Sequence, residues 1–126
     1  MIKNYSIDTT GGVTSVRFTK ETGVEDIHNA IDDVAENYLS DLRLWDISSE
    51  GINLTSSQIK QLAKYGRSKF LLPSRVAIVV QEDLAYGLQK MFDVYREEGL
   101  SETRIFGSDQ EAREWLNSPD NGSPVH

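Results

Sequence analysis

Three consecutive hydroxyl residues, Thr55, Ser56 and Ser57, open what reads as a helix, a short polar loop after Asp46 and Ser48. The first turn of a helix has unpaired backbone N–H groups and the positive end of the dipole, so a phosphate on Ser56 would be electrostatically welcome there. A carboxylate and hydroxyls at a strand's carboxyl end can also bind a polar ligand group or exchange protons. In open α/β sheets that edge is where ligands and partners usually dock. Thr55, Ser56, Ser57, Asp46 and Ser48 are therefore the candidate phosphorylation or partner-contact residues. The same residues have a plainer reading. Thr55 with Gln58 makes a capping box, and Asp and Ser often bond their own backbone to shape a loop.

A second candidate lies further along the chain. Gly87 interrupts a good helical pattern at a cost of about 1 kcal/mol relative to alanine, which points to a close neighbour at the backbone. Tyr86, Met91 and Phe92 around it would suit an adaptable apolar pocket, although such a stripe also serves as ordinary core. His28 stands between Glu25 and Asp32 at helical spacings. A strong metal site needs more than one imidazole or thiolate, so local ion pairs are the expectation and no metal is assigned. The sequence shows no nucleophile–base pair and no phosphate-gripping glycine loop. The expectation is a protein without catalytic activity or cofactor.

Composition narrows the partners. With 126 residues and 38% hydrophobic content the chain suits one compact domain. Twenty acidic against 13 basic residues give a net charge of −7, which argues against nucleic acid. There is no cysteine, so nothing calls for an oxidising compartment. No apolar run approaches a membrane span and the N-terminus lacks the apolar core of a signal peptide, so a cytoplasmic protein without integral membrane association is expected. Charge is uneven, with Glu25, Asp26, Asp32, Asp33 and Glu36 on the first helix and Lys60, Lys64 and Arg67 on the second. Such helices would lie side by side or offer a two-signed docking surface.

Periodicity supplies the elements that must position these residues. Alternation over Tyr5–Ile7 and Thr14–Phe18, with Gly11 and Gly12 between, predicts a hairpin. Thr22 with Glu25 predicts a capping box ahead of a helix ending near Tyr38. A short strand over Leu42–Ile47 precedes the Thr55 helix, which Pro73 stops. The β-branched run from Arg75 to Gln81 reads as the centre of the sheet. A third helix through Leu84, Leu88, Met91, Phe92 and Tyr95 would stop at Gly99, and a last strand at Thr103–Phe106 would lead to a helix capped by Ser108 and Glu111. The predicted class is α/β, order ββαβαβαβα, with a mixed five-stranded sheet and four helices. The domain covers residues 1–117, and the proline- and glycine-containing tail, 118–126, is expected to be disordered.

This order, with LRLWDISSEGINLTSSQIKQLA and RVAIVVQEDLAYGLQKMFDVYREEG as paired segments, resembles the SpoIIAA-like family of small bacterial proteins. That family is grouped with the STAS domains of anti-sigma-factor antagonists and sulfate transporters, and with the CRAL-TRIO lipid-binding fold. In the antagonists the second helix begins Asp-Ser-Ser-Gly, and phosphorylation of the first serine breaks the complex with a kinase-like anti-sigma factor. The resemblance puts Ser56 at that position, with Thr55 and Gln58 where the family has aspartate and glycine. It implies a noncatalytic signalling module that binds a protein partner. The alternative is a small carrier or sensor of an apolar or lipid-like ligand held near Tyr86, Gly87, Met91 and Phe92. Self-association is left open.

Overall fold

The computed structural model of the chain describes residues 4–19, 21–49, 52, 54–70, 73–85 and 101–118. The predicted pocket residues Tyr86, Gly87, Met91 and Phe92, and the tail beyond Ser118, lie outside the described residues.

Strands β1 (Tyr5–Thr10) and β2 (Val13–Phe18) form the expected antiparallel hairpin, with Thr10 opposite Val13. Its two-residue turn needs positive φ at both positions, and Gly11 and Gly12 supply 67° and 80°. Helix α1 (Val24–Asn37), β3 (Leu42–Asp46), α2 (Ser56–Lys69) and β4 (Ser74–Val79) follow. A helical turn, α3 (residues 82–85), follows, and β5 (Ser101–Phe106) and α4 (Asp109–Leu116) complete the order. The sheet runs β1-β2-β3-β4-β5, parallel from β2 onward. The β-branched run from Arg75 is thus an interior strand, but the middle strand is β3.

Neighbouring parallel strands in chain order require crossovers of one hand, which bring the connecting helices to one face. The side chains follow this rule. Val16, Phe18, Ile47, Ile78, Val80 and Ile105 join α1, α2 and Ala85 in one core. The alternate residues Val13, Leu44, Ala77 and Val79 point the other way and are covered by Ala112 and Leu116 of α4.

Helix α1 starts one residue later than Thr22 and Glu25 suggested. Gly23 is its N-cap, and the Gly23 N–H donates to Asp26 Oδ2 at 2.8 Å. Thr22 is buried and donates its hydroxyl to the Asn4 carbonyl at 3.0 Å, which pins the helix entry to β1. The Thr55 box is as expected: Gln58 N–H donates to Thr55 Oγ1 at 3.1 Å, and Thr55 N–H to Gln58 Oε1 at 2.9 Å. At α4, Glu111 N–H donates to Ser108 Oγ at 3.2 Å.

Helices α1 and α2 do lie side by side. Lys69 joins them, 3.3 Å from Asp32. The Tyr65 hydroxyl donates to Asp32 at 2.6 Å, and that bond, first among several causes, holds the carboxyl below its ordinary range. Tyr5 makes a similar link from β1 to Asp33 at 3.2 Å. Burial, reinforced by Asp33, pushes the Tyr5 hydroxyl up to about 12 from 10.0.

A phenol whose pKa is raised on folding contributes stability that is complete below its unfolded value and lost as pH climbs through the folded one. Tyr5 should therefore ionise late in an absorbance titration, and the folded state should weaken between pH 10 and 12. Tyr5→Phe should remove that late step and flatten the stability profile over the same window. An unchanged profile would show that Tyr5 is not its source.

Candidate functional site

Several of the hydroxyl and carboxylate groups singled out from the sequence are engaged in local structure. Asp46 shares its orientation with Leu44 and belongs to the α4 face, whereas Trp45 and Ile47 on either side join the face that α2 covers. Asp46 is 7% exposed, and its carboxylate is occupied. Its Oδ1 accepts the Ser48 N–H at 2.9 Å and the Ser48 hydroxyl at 2.6 Å, while Oδ2 lies 3.4 Å from Arg17 Nε. This is a loop-shaping arrangement. Thr55 spends its hydroxyl on the cap, and Ser56 and Ser57 are exposed in the first turn of α2. That turn has no carboxylate, unlike those of α1 and α4. His28 stacks on Tyr65 with ring centres 4.3 Å apart. Among the described residues no group of three or more His, Cys, Asp or Glu side chains is placed to hold a metal ion.

A concave feature lies between the sheet and helices α1 and α2. It is partly open and offers about 60 Å³, with Ile31, Ile59, Leu62, Trp45 and Ile78 among its walls. Trp45 and Val76 line it and are only half-buried although both sit on inner strands. Gly66 of α2 lines it too, and among the described residues a methyl group there would meet nothing within 4 Å. A glycine inside a helix costs about 1 kcal/mol against alanine, and no crowding among the described residues requires it.

The polar residue in this wall is Arg43, 2% exposed. Strand alternation puts it on the same face as Trp45. One terminal nitrogen donates to the Ser40 carbonyl at 2.6 Å and the other to Ser74 Oγ at 2.9 Å. The guanidinium also lies 3.8 Å from the centre of the Phe70 ring, a cation–π contact. Its Nε is buried with no hydrogen-bond partner. Among the described residues no carboxylate makes a salt bridge with it. Burial lowers its pKa from 12.5 to about 10, with nearby Asp41 pulling the other way. A desolvated, unneutralised cation is a standing cost to the fold.

Sequence reasoning missed both Arg43 and Gly66. Two signals were present: an arginine in register with Trp45 and Ile47 in an otherwise buried strand, and a glycine in the middle of an apolar helix stripe.

Fold and site together define an α/β protein with a mixed five-stranded sheet and a small apolar cavity walled in part by a buried cation. Among family models, curated proteins and solved structures, none matches this chain. No helix among the described residues is long and apolar enough to cross a membrane.

Thr55→Ala should cost about 1 kcal/mol in chemical denaturation, the usual loss for an N-cap hydroxyl. Ser56→Ala, at an exposed position, should stay within about 0.5 kcal/mol. Equal effects at the two positions would contradict the cap geometry.

Proposed function

We propose that this chain is a noncatalytic carrier or sensor that holds a small, mainly apolar ligand between its sheet and helices α1 and α2. The cavity is the observation that carries this reading. Domain interiors are close-packed, with few voids larger than a water molecule, whereas this one leaves about 60 Å³ beside a helical glycine that no contact among the described residues demands. On this measure about 10–15 Å³ admits one water molecule, so the space holds several and suits a short chain or a single ring better than a long lipid tail. The ligand site suggested by the sequence was near Tyr86 and Met91; the one supported here is walled by α2 and β3. A cytoplasmic location accords with the cysteine-free composition.

A second reading keeps the SpoIIAA-like and STAS resemblance as its basis: a protein-interaction module switched by phosphorylation at Ser56. It is favoured by the exposure of Ser56 and Ser57 in a first turn without carboxylates. Thr55 is committed to its cap and Asp46 to the other face, so this reading rests on Ser56 and Ser57 alone.

Native mass spectrometry of protein isolated from its own cells, repeated under denaturing conditions, should reveal an adduct that denaturation removes. Gly66→Ala should gain about 1 kcal/mol of stability and lose that adduct. A gain in stability with no adduct on the wild type would mark the void as a packing defect. A covalent phosphate retained on the peptide containing Ser56 would support the switch instead.

A further inference from the structure

We propose that the ligand of this cavity is a small monocarboxylate, with its hydrocarbon part against Trp45, Ile59 and Leu62 and its carboxylate on the Nε–H of Arg43. The inference rests on the cavity being a ligand site, and it names the chemistry the site selects.

Three observations carry it. First, Arg43 lines the cavity and is 2% exposed, so its charge is not neutralised by bulk water. Second, its two protein hydrogen bonds, to the Ser40 carbonyl and the Ser74 hydroxyl, go to neutral acceptors, and Asp41, which favours the charge from nearby, makes no salt bridge with it. Third, the bonding is incomplete: Nε is buried without a partner, and each terminal nitrogen has two hydrogens of which the bonds to Ser40 and Ser74 use one. The Nε edge of a guanidinium is one of the two edges that meet a carboxylate with paired, roughly parallel hydrogen bonds.

Size and charge restrict the partner further. A monocarboxylate neutralises the single guanidinium one to one. A phosphate monoester brings nearly two negative charges into an apolar space with one cation to meet them, leaving charge buried and unpaired. About 60 Å³ then limits the rest of the molecule to a short aliphatic chain or one ring. Charge neutralisation also offsets part of the desolvation cost that Arg43 imposes on the empty protein, and a ligand that binds the folded state stabilises it.

The test compares isosteric pairs on the wild-type full chain: butyrate with butyramide and benzoate with benzamide, by isothermal titration calorimetry and by the NMR signal of the arginine Nε–H groups. The carboxylates should bind at least tenfold more tightly than their amides and move one arginine Nε–H resonance, which is absent from Arg43→Met. Arg43→Met should bind acid and amide alike. Because the wild type carries the isostere comparison, the test holds whether or not Arg43→Met folds. Equal affinity for acid and amide in the wild type overturns the role of Arg43 and leaves the cavity as a neutral apolar site. If carboxylates, amides and a bare hydrocarbon such as toluene all fail to bind, the ligand reading itself falls, and this inference with it.

Discussion

Strands β2 to β5 pair in the order in which they occur in the chain, and the rest of the molecule answers to that constraint. With no reversal among them, crossovers of one hand bring α1 and α2 to the same side of the sheet. The two helices then have to share a face, and Asp32 of α1, held by Tyr65 and Lys69 of α2, fastens them to each other. Two cylinders packed side by side on a twisted sheet do not fill every gap beneath them. The gap here lies over Trp45 and Val76, and Gly66 keeps it open from above.

Two arginines at the starts of adjacent strands show what the two faces do with a cation. Arg75 of β4 belongs to the α4 face, where it donates to the carbonyls of Leu116 at 3.2 Å and Ser118 at 2.9 Å and lies 5.0 Å from the Trp115 ring. Its charge is spent on the carboxyl end of a helix, where a cation is favourable. Arg43 of β3 looks the other way, into the larger core, and receives neutral acceptors and a phenyl ring. Each arginine keeps one buried nitrogen without a hydrogen-bond partner, Nη2 of Arg75 and Nε of Arg43, but it is Arg43 that lines the cavity.

How much of this was legible in the sequence depended on distance along the chain. The Gly11–Gly12 turn, the Thr55 box and the alternation of the strands are local, and the residues that make them lie within a few positions of each other. The start of α1 was misplaced because Thr22 answers to Asn4 rather than to the helix it precedes. Less legible was that the Asp46 carboxylate is taken up by Ser48 and Arg17. A strand sends alternate residues to opposite faces, so Asp46 and Trp45 part company although they are adjacent. That same alternation would have placed Arg43 beside Trp45 in the core. What it could not supply is which acceptors wait there, since Ser74 comes from the next strand and Phe70 from the far end of a helix.

The helix that covers the second face comes after every strand it covers. During synthesis each new strand of β3 to β5 finds its partner already made, so the sheet can grow at one edge as the chain emerges. The patch of Leu44, Ala77 and Val79 has no such provision, because its cover, Ala112 and Leu116, follows β5. Until that helix leaves the ribosome the nascent sheet exposes an apolar flank, and this is the interval in which a chaperone would have something to hold.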